Sequence, residues 1–443
     1  MRSEIIQEFS HCWFGYVNNV FGQDFYHPLS QTGSNTVEMA LTLVSSLDTL
    51  ILMGFEEEYE RSRKWIIENL HFSTTQTVSL FDISIQVIGG LLSSYALRTE
   101  PVFLQKAREA ADLVLFAFDT ETGIPFGQLG LTTGIAENPI SSGGSSSISE
   151  ILSIQLEFQY LSRLTGDPKY ASTVDRVSQA VLSQPRPFNL FPQYINPKTG
   201  LYTSNLLTMG AGVGSAYETL LKQWILSNRQ RPELINAYYE SMAGMKDLLV
   251  RHSSPMHLTF LADHENDAIH PNMQLLTCFV PGMLALGSLQ PDNPEAANHL
   301  RLARELGYTC YAIHRKMATG LAPEVVTFSE TGKGEDFQTA QDQQRGRLRP
   351  EMLESLFYLY RVTHAQVYRD WAWEIFQSMK THARIPSGGY AVVDNVLETD
   401  FERIGHEDTM ESSFLSETMK YLYLIFAEDD YFPLDRWVFT TQG

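Results

Sequence analysis

The sequence predicts an all-α fold, a ring of seven helical hairpins forming an (α/α)7 barrel with a few short β-hairpins at one end. Three observations lead to it. Helical periodicity recurs along almost the whole chain, broken only by short Gly, Pro, Asn and Asp clusters. A motif recurs: YALRTEPVF begins at Tyr95, YLSRLTGDPKY at Tyr160 and YLYRVTHAQVY at Tyr358, each closing a helix on an arginine, turning, and starting another. Arg98, Arg163 and Arg361 lie 65 and 198 residues apart, and 198 is three times 66, so the unit is about 65 residues and seven fill 443. The aromatic-rich inner helices and the lack of a polar cap at either end favour a closed ring over an open solenoid.

The N-terminal stretch MRSEIIQEFSHCWFGYV reads as the start of an amphipathic helix. Helices are expected at 38–54, 57–70, 84–98, 101–118, 148–164, 168–183, 215–228, 231–252, 295–316, 351–363, 366–380 and 411–426. Strand-like pieces are few, at 188–195, 200–208 and 389–396. The Gly/Ser patch at 141–147 reads as a loop plus helix cap. No low-complexity linker divides the chain, so residues 1–443 are expected to form one barrel domain and to act as a monomer.

Composition narrows the function. With 43% apolar and 12% aromatic residues a large core is available. A formal net charge of −20 argues against a nucleic-acid or anionic-membrane surface. No run of 18 apolar residues is present, so no membrane span is expected. The start lacks an apolar signal core: the protein is cytoplasmic if Met1 is its native start, and belongs to the secretory pathway if a leader has been removed. Three cysteines, Cys12, Cys278 and Cys310, are too few for a disulfide framework and show no metal-binding spacing; Cys12, beside His11 and Trp13, reads as a core cysteine.

The densest chemistry is LRPEMLESLFYLYR, 348–361. Pro350 suits a first helical turn, and Glu351 and Glu354, three apart, project from one face of it beside Arg349. Read alone, this is either a helix start whose acids complement the dipole or a site.

The chain resembles the class I α-1,2-mannosidases, glycoside hydrolase family 47. The resemblance runs through SLDTLILMGF (46–55), VSLFDISIQVIGGLLSSYAL (78–97), SIQLEFQYLSRLTGDPKY (153–170), YETLLKQWI (217–225), TCFVPGMLALG (277–287), LRPEMLESLFYLYRVT (348–363), GGYAVVDNV (388–396), MESSFLSETMKYLYLIF (410–426) and PLDRWVFTTQ (433–442). It implies an (α/α)7 barrel plugged at one end by the C-terminal segment, and inverting, calcium-dependent hydrolysis of terminal α-1,2-linked mannose. Inversion needs one carboxylic acid for the leaving oxygen and one carboxylate to activate water. By resemblance, Glu351 is a preserved catalytic carboxylate, Thr441 a calcium ligand, and Glu351, Glu354 and Glu417 hold the ion's waters; no organic cofactor is expected. Glu150, Glu218 and Glu324 match positions near the cavity, Glu411 is a weaker candidate than Glu417, and Cys278 and Cys310 match the family's disulfide pair.

Departures from the family pattern cluster at the expected site. Asp82 stands in place of the acid-side glutamate; the shorter arm withdraws its carboxyl by roughly 1–1.5 Å, and misplacement of that order costs about 100-fold in rate. Gln86 replaces an arginine, Gly214 a catalytic aspartate, and Gly212 a glycan-contacting arginine. Gln274 and Leu275 replace an Asp-His pair, Ser413 a sugar-stacking phenylalanine, and Gln442 a glutamate of the calcium shell. His264 and His270, in ADHENDAIHPN, read as solvated loop residues, with a relocated base the alternative. The expectation is therefore a cavity widened and dried by Gly212, Gly214, Leu275 and Ser413, with weak α-1,2-mannosidase activity. Three functions fit: a repurposed enzyme using Glu351 and Asp82 for cyclisation, isomerisation, dehydration or ring-opening of a non-glycan small molecule in specialised metabolism; a calcium-dependent α-1,2-mannosidase of altered specificity; and a non-catalytic glycan- or protein-binding descendant.

Overall fold

A computed structural model describes residues 1–332 and 334–443 of the chain. Helices of two kinds alternate along it. Arg2–Val20, Glu56–Asn69, Pro101–Val114, Lys169–Leu182, Pro232–Leu248, Ala296–Lys316 and Val367–His382 each bury one stripe and leave the other in solvent. Lys169–Leu182 shows the pattern, burying Tyr170, Val174, Val177 and Val181 at helical spacing. Between these lie helices buried nearly all round. Glu351–Thr363 buries every residue from Met352 to Arg361, and Gly214–Leu226 and Met419–Ile425 do much the same. The first kind forms the outer wall and the second lines the axis of an (α/α)7 barrel.

The arginine motif marks real helix ends. Arg98, Arg163 and Arg361 sit in the last turns of inner helices, and each helix is closed by a left-handed residue, Thr99, Gly166 and His364. Arg361 also donates to the carbonyls of Asp429 (2.5 Å), Leu424 (3.2 Å) and Tyr431 (2.9 Å), tying the loop after the last inner helix to the preceding one. The ring closes where the first helix meets the last outer one. Lys380 pairs with Glu4 at 2.5 Å, Arg384 with Glu8 at 2.7 Å, and the Tyr390 hydroxyl donates to Glu8 at 2.9 Å. At that seam Gly15 and Gly388 (φ +125°) touch backbone to backbone; a Cβ on Gly388 would lie 2.7 Å from Gly15 Cα.

Three features differ from expectation. The inner helix Val280–Ser288 has no amphipathic period to reveal it, since it is buried on every side and carries Pro281, Gly282 and Gly287. Leu80–Arg98 is, among the described residues, one helix long and apolar enough to cross a membrane; it is an inner barrel helix, buried through Ile83–Leu92. Short antiparallel pairs are more numerous than the three expected pieces. They include Ser146–Ser147 on Tyr194–Ile195, Thr77–Ser79 on Gln128–Gly130, and Asn272–Gln274 on Val325–Phe328. Residues of these pairs, Gln128, Ser147 and Tyr194 among them, rim the main cavity.

The C-terminal segment enters the barrel. Phe439 packs against Phe357 (5.2 Å between ring centroids) and Tyr421 (6.0 Å), the Gln442 amide donates to Ser416 at 2.8 Å, and Lys420 donates to the Gly443 carbonyl at 3.1 Å. Cys278 and Cys310 form a disulfide joining the turn before Val280–Ser288 to the following outer helix, and Cys12 is a buried free thiol.

Candidate active site

The barrel opens into a cavity of about 770 Å³. Inner helices deliver most of its acids. Pro350 starts Glu351–Thr363, so Glu351 and Glu354 fall in its first turn, as the spacing predicts. Arg349, just outside the helix, is held by Glu324 through Nε (3.0 and 3.1 Å) and a terminal nitrogen (2.7 Å). Glu351 Oε2 is shielded from solvent without a hydrogen-bond partner, and burial raises its pKa against the pull of Arg349. Glu354 accepts from Tyr421 (3.1 Å) and Lys222 (3.4 Å); burial and the charge of Glu218 lift it to about 8. Burial opposes the charge on Lys222, but Glu218 at 3.0 Å, with Tyr358 and Glu354, outweighs it and keeps the ammonium charged. Glu417 joins from the last inner helix, its pKa raised well above normal by burial and then by Glu351 and Glu354.

A second acidic group stands apart. Asp82 ends the short turn Leu80–Asp82, capped through Ser79, and Glu150 sits in the first turn of Ile148–Leu152. Burial raises both, and the Asp82 charge raises Glu150 further. The charges that perturb Glu351 come from Arg349 and Glu324, so the two groups titrate in separate surroundings.

Asp82, Arg349, Glu351, Glu354, Ser413, Glu417 and Thr441 all line this cavity, as do Gly212, Glu150, Glu218, Glu411 and Gln442. Five expected residues, Gln86, Gly214, Gln274, Leu275 and Glu324, do not. Gln86 turns into the wall, donating weakly to Asp82 (3.4 Å) and accepting from Ser412 (2.6 Å). Gly214 opens no space: a Cβ there would lie 2.4 Å from the Met209 carbonyl oxygen and 2.8 Å from the Phe279 ring. Leu275 points into the core because the 3-10 turn Leu275–Phe279 presents Leu276 and Phe279 to the cavity instead. Glu324 lies in an adjoining recess of about 320 Å³, where Gln274 accepts from the Ala211 amide at 2.9 Å. His264 is buried in a hairpin against Phe188 and, like His270, does not face the cavity.

The expected drying is not found. Ser141, Ser142, Ser145, Ser147, Ser149 and Ser215 line the cavity with hydroxyls. Some are linked, with Ser153 donating to Ser215 (2.7 Å) and Ser215 to Ser149 (3.0 Å). Gln193 is a further lining residue that the sequence did not single out. The signal for the serine wall was the patch at 141–147, which is a wall as well as a cap.

Among the described residues no group of three His, Cys, Asp or Glu side chains is set for direct metal coordination. The oxygens nonetheless suit a hard cation held largely through water. Thr441 spends its hydroxyl on only a 3.4 Å contact to the Ser153 carbonyl, and Glu351, Glu354 and Glu417 crowd negative charge against one another.

Two groups of carboxylates in a hydroxyl-lined cavity of a helical barrel are the equipment of a glycoside hydrolase. The chain belongs to glycosyl hydrolase family 47, whose description matches residues 8–443. It is 41% identical over 446 residues to the human endoplasmic reticulum mannosyl-oligosaccharide 1,2-alpha-mannosidase, covering 99% of this chain and 63% of that protein. It is 36% identical over 449 residues to the mannosyl-oligosaccharide alpha-1,2-mannosidase IA of Drosophila melanogaster, covering 100% of this chain and 66% of that one. The chain thus spans slightly under two thirds of these relatives. The alpha-1,2-mannosidase from Trichoderma reesei superposes with a TM-score of 0.89 at 25% identity, over 96% of this chain and 93% of that one.

Proposed function

We propose that this chain is a glycosidase that hydrolyses a terminal α-linked mannoside, with specificity altered from that of its relatives. The observation that carries this reading is the presence of Asp82 and Glu351 in one hydroxyl-lined cavity of a family 47 barrel. Asp82 gives a proton to the departing glycosidic oxygen; burial raises its pKa, as it does that of Glu351. Glu351, on the cavity wall, takes the proton of the attacking water. Arg349, fixed by Glu324, holds positive charge beside Glu351. Phe81, Tyr194 and Phe279 offer apolar faces to sugar rings in place of a ring at Ser413.

Calcium is the metal that this donor set fits, with Thr441 as ligand and the carboxylates as outer partners; when bound it supplies a positive anchor for sugar hydroxyls. The named activity of the relatives and the Cys278–Cys310 disulfide support action in the oxidising lumen of the secretory pathway.

The closed position at Gly214 favours a second reading, in which the same acid and base serve a non-glycan small molecule. The hydroxyl lining and the relatives support the mannoside first. Assay of free mannose from an α-1,2-linked mannobiose decides between them: release that disappears in Glu351→Gln supports the glycosidase, and no release at high enzyme concentration rejects it.

A further inference from the structure

A second cavity, of about 500 Å³, lies behind the C-terminal segment. Thr440 and Gly443 face it while Thr441 and Gln442 face the first, so that segment is the partition between the two. Its size falls in the usual range for small-molecule sites. Glu157, on the inner helix Gln155–Thr165, lines it and is only 1% exposed, and neither carboxyl oxygen has a hydrogen-bond partner among the described residues. A buried carboxyl with both oxygens unsatisfied is costly and calls for an explanation. Neighbouring cations do not supply one. Lys222 is taken up by Glu218 and Glu354, and Lys420 by Asp48 (2.8 Å) and the Gly443 carbonyl (3.1 Å).

Most of the remaining wall is aliphatic or aromatic, including Leu92, Leu156, Phe432 and Trp437. Two exposed arginines, Arg163 and Arg436, complete it, and among the described residues neither has an ion-pair partner. The lining therefore combines a buried acid without a partner, a mostly apolar wall in which Asp48 and Lys420 satisfy each other, and two exposed arginines without an ion-pair partner among the described residues. A purely apolar ligand would leave Glu157 unsatisfied. A simple anion would gain the arginines but bring nothing to the carboxyl, and a simple amine would do the reverse.

We propose that this cavity binds a small zwitterion, an amino carboxylate with an apolar spacer, its ammonium on Glu157 and its carboxylate between Arg163 and Arg436. The site is separate from the reaction proposed above and does not depend on it.

Calorimetric titration of the full chain tests it, with ε-aminocaproate and ω-aminocaprylate as probes and hexylamine and hexanoate as controls. The amino carboxylates bind more tightly than either control. Measured at pH 9, where Glu157 is ionised, Glu157→Gln weakens them on the order of tenfold or more, as expected for loss of a charge-assisted hydrogen bond. Arg163→Ala with Arg436→Ala, both at exposed positions and checked for an unchanged melting temperature, weakens the amino carboxylates and leaves hexylamine unchanged. Saturating mannobiose does not displace the probe. Failure of every amine to bind at millimolar concentration, equal binding of hexanoate, indifference to the arginine pair, or displacement by mannobiose would each overturn the proposal.

Discussion

Gln193 occupies the space that a side chain at Gly212 would need: a Cβ there would lie 2.7 Å from Gln193 Nε2, which itself donates to the Ala211 carbonyl at 3.1 Å. Gly212 also has φ +83°, a conformation that side chains resist. The arginine that the family resemblance implies at position 212 would have to displace this amide. Gly212→Arg alone is predicted to destabilise the fold by about 1–3 kcal/mol through strain and overpacking. Adding Gln193→Ala recovers part of that loss, so a double-mutant cycle followed by denaturant unfolding shows non-additivity.

Gly214→Asp, which would supply the carboxylate that the family resemblance implies there, is predicted to lower stability without raising activity. The Met209 carbonyl oxygen, 2.4 Å from where the new Cβ would stand, is backbone and cannot swing aside as a side-chain tip could. Thermal unfolding and mannose release, measured on the same preparation, check both halves.

Stability should depend on pH through Glu157. Burial lifts its pKa from 4.5 to about 8. The folded state therefore holds a proton that the unfolded chain releases at lower pH, so this contribution is full below about pH 4.5 and is lost as pH rises towards 8. Glu157→Gln is predicted to flatten the stability profile between these limits, read by denaturant unfolding at several pH values.

The Cys278–Cys310 bridge closes a loop with a sequence separation of 32 residues. Chain entropy assigns such a crosslink about 3–4 kcal/mol. Cys310→Ser is predicted to lower unfolding free energy by about that amount, while the buried Cys12 thiol stays unreactive towards thiol reagents in the folded protein.

Added calcium is predicted to raise the melting temperature, since an ion that binds only the folded state stabilises it. Thr441→Val should reduce that rise; an unchanged rise places the ion elsewhere.

The fold is legible where the sequence carries a period or a repeat. The arginines at 98, 163 and 361 mark true helix ends because each precedes a left-handed capping residue. Val280–Ser288 stays hidden because a helix buried on all sides shows no polar face from which a period can be read. At the site, LRPE locates Glu351 and Glu354 because first-turn geometry is fixed by local spacing. Leu275 and Gly214 mislead because which way a residue faces depends on how a short turn is wound, and what fills the space beside it depends on packing partners such as Phe279, 65 residues from Gly214 in the chain. The serine wall escapes notice for the same reason: a Gly/Ser patch does not announce which cavity it will border.

The central claim is that Asp82 and Glu351 act as acid and base on a mannoside. Proton NMR of the sugar first released from α-1,2-mannobiose tests it most directly, comparing the native chain with Asp82→Asn and Glu351→Gln. The account predicts initial release of β-mannose, the inverted anomer, with both variants slowed by about 100-fold or more. Initial release of α-mannose, or full activity in Glu351→Gln, would contradict it.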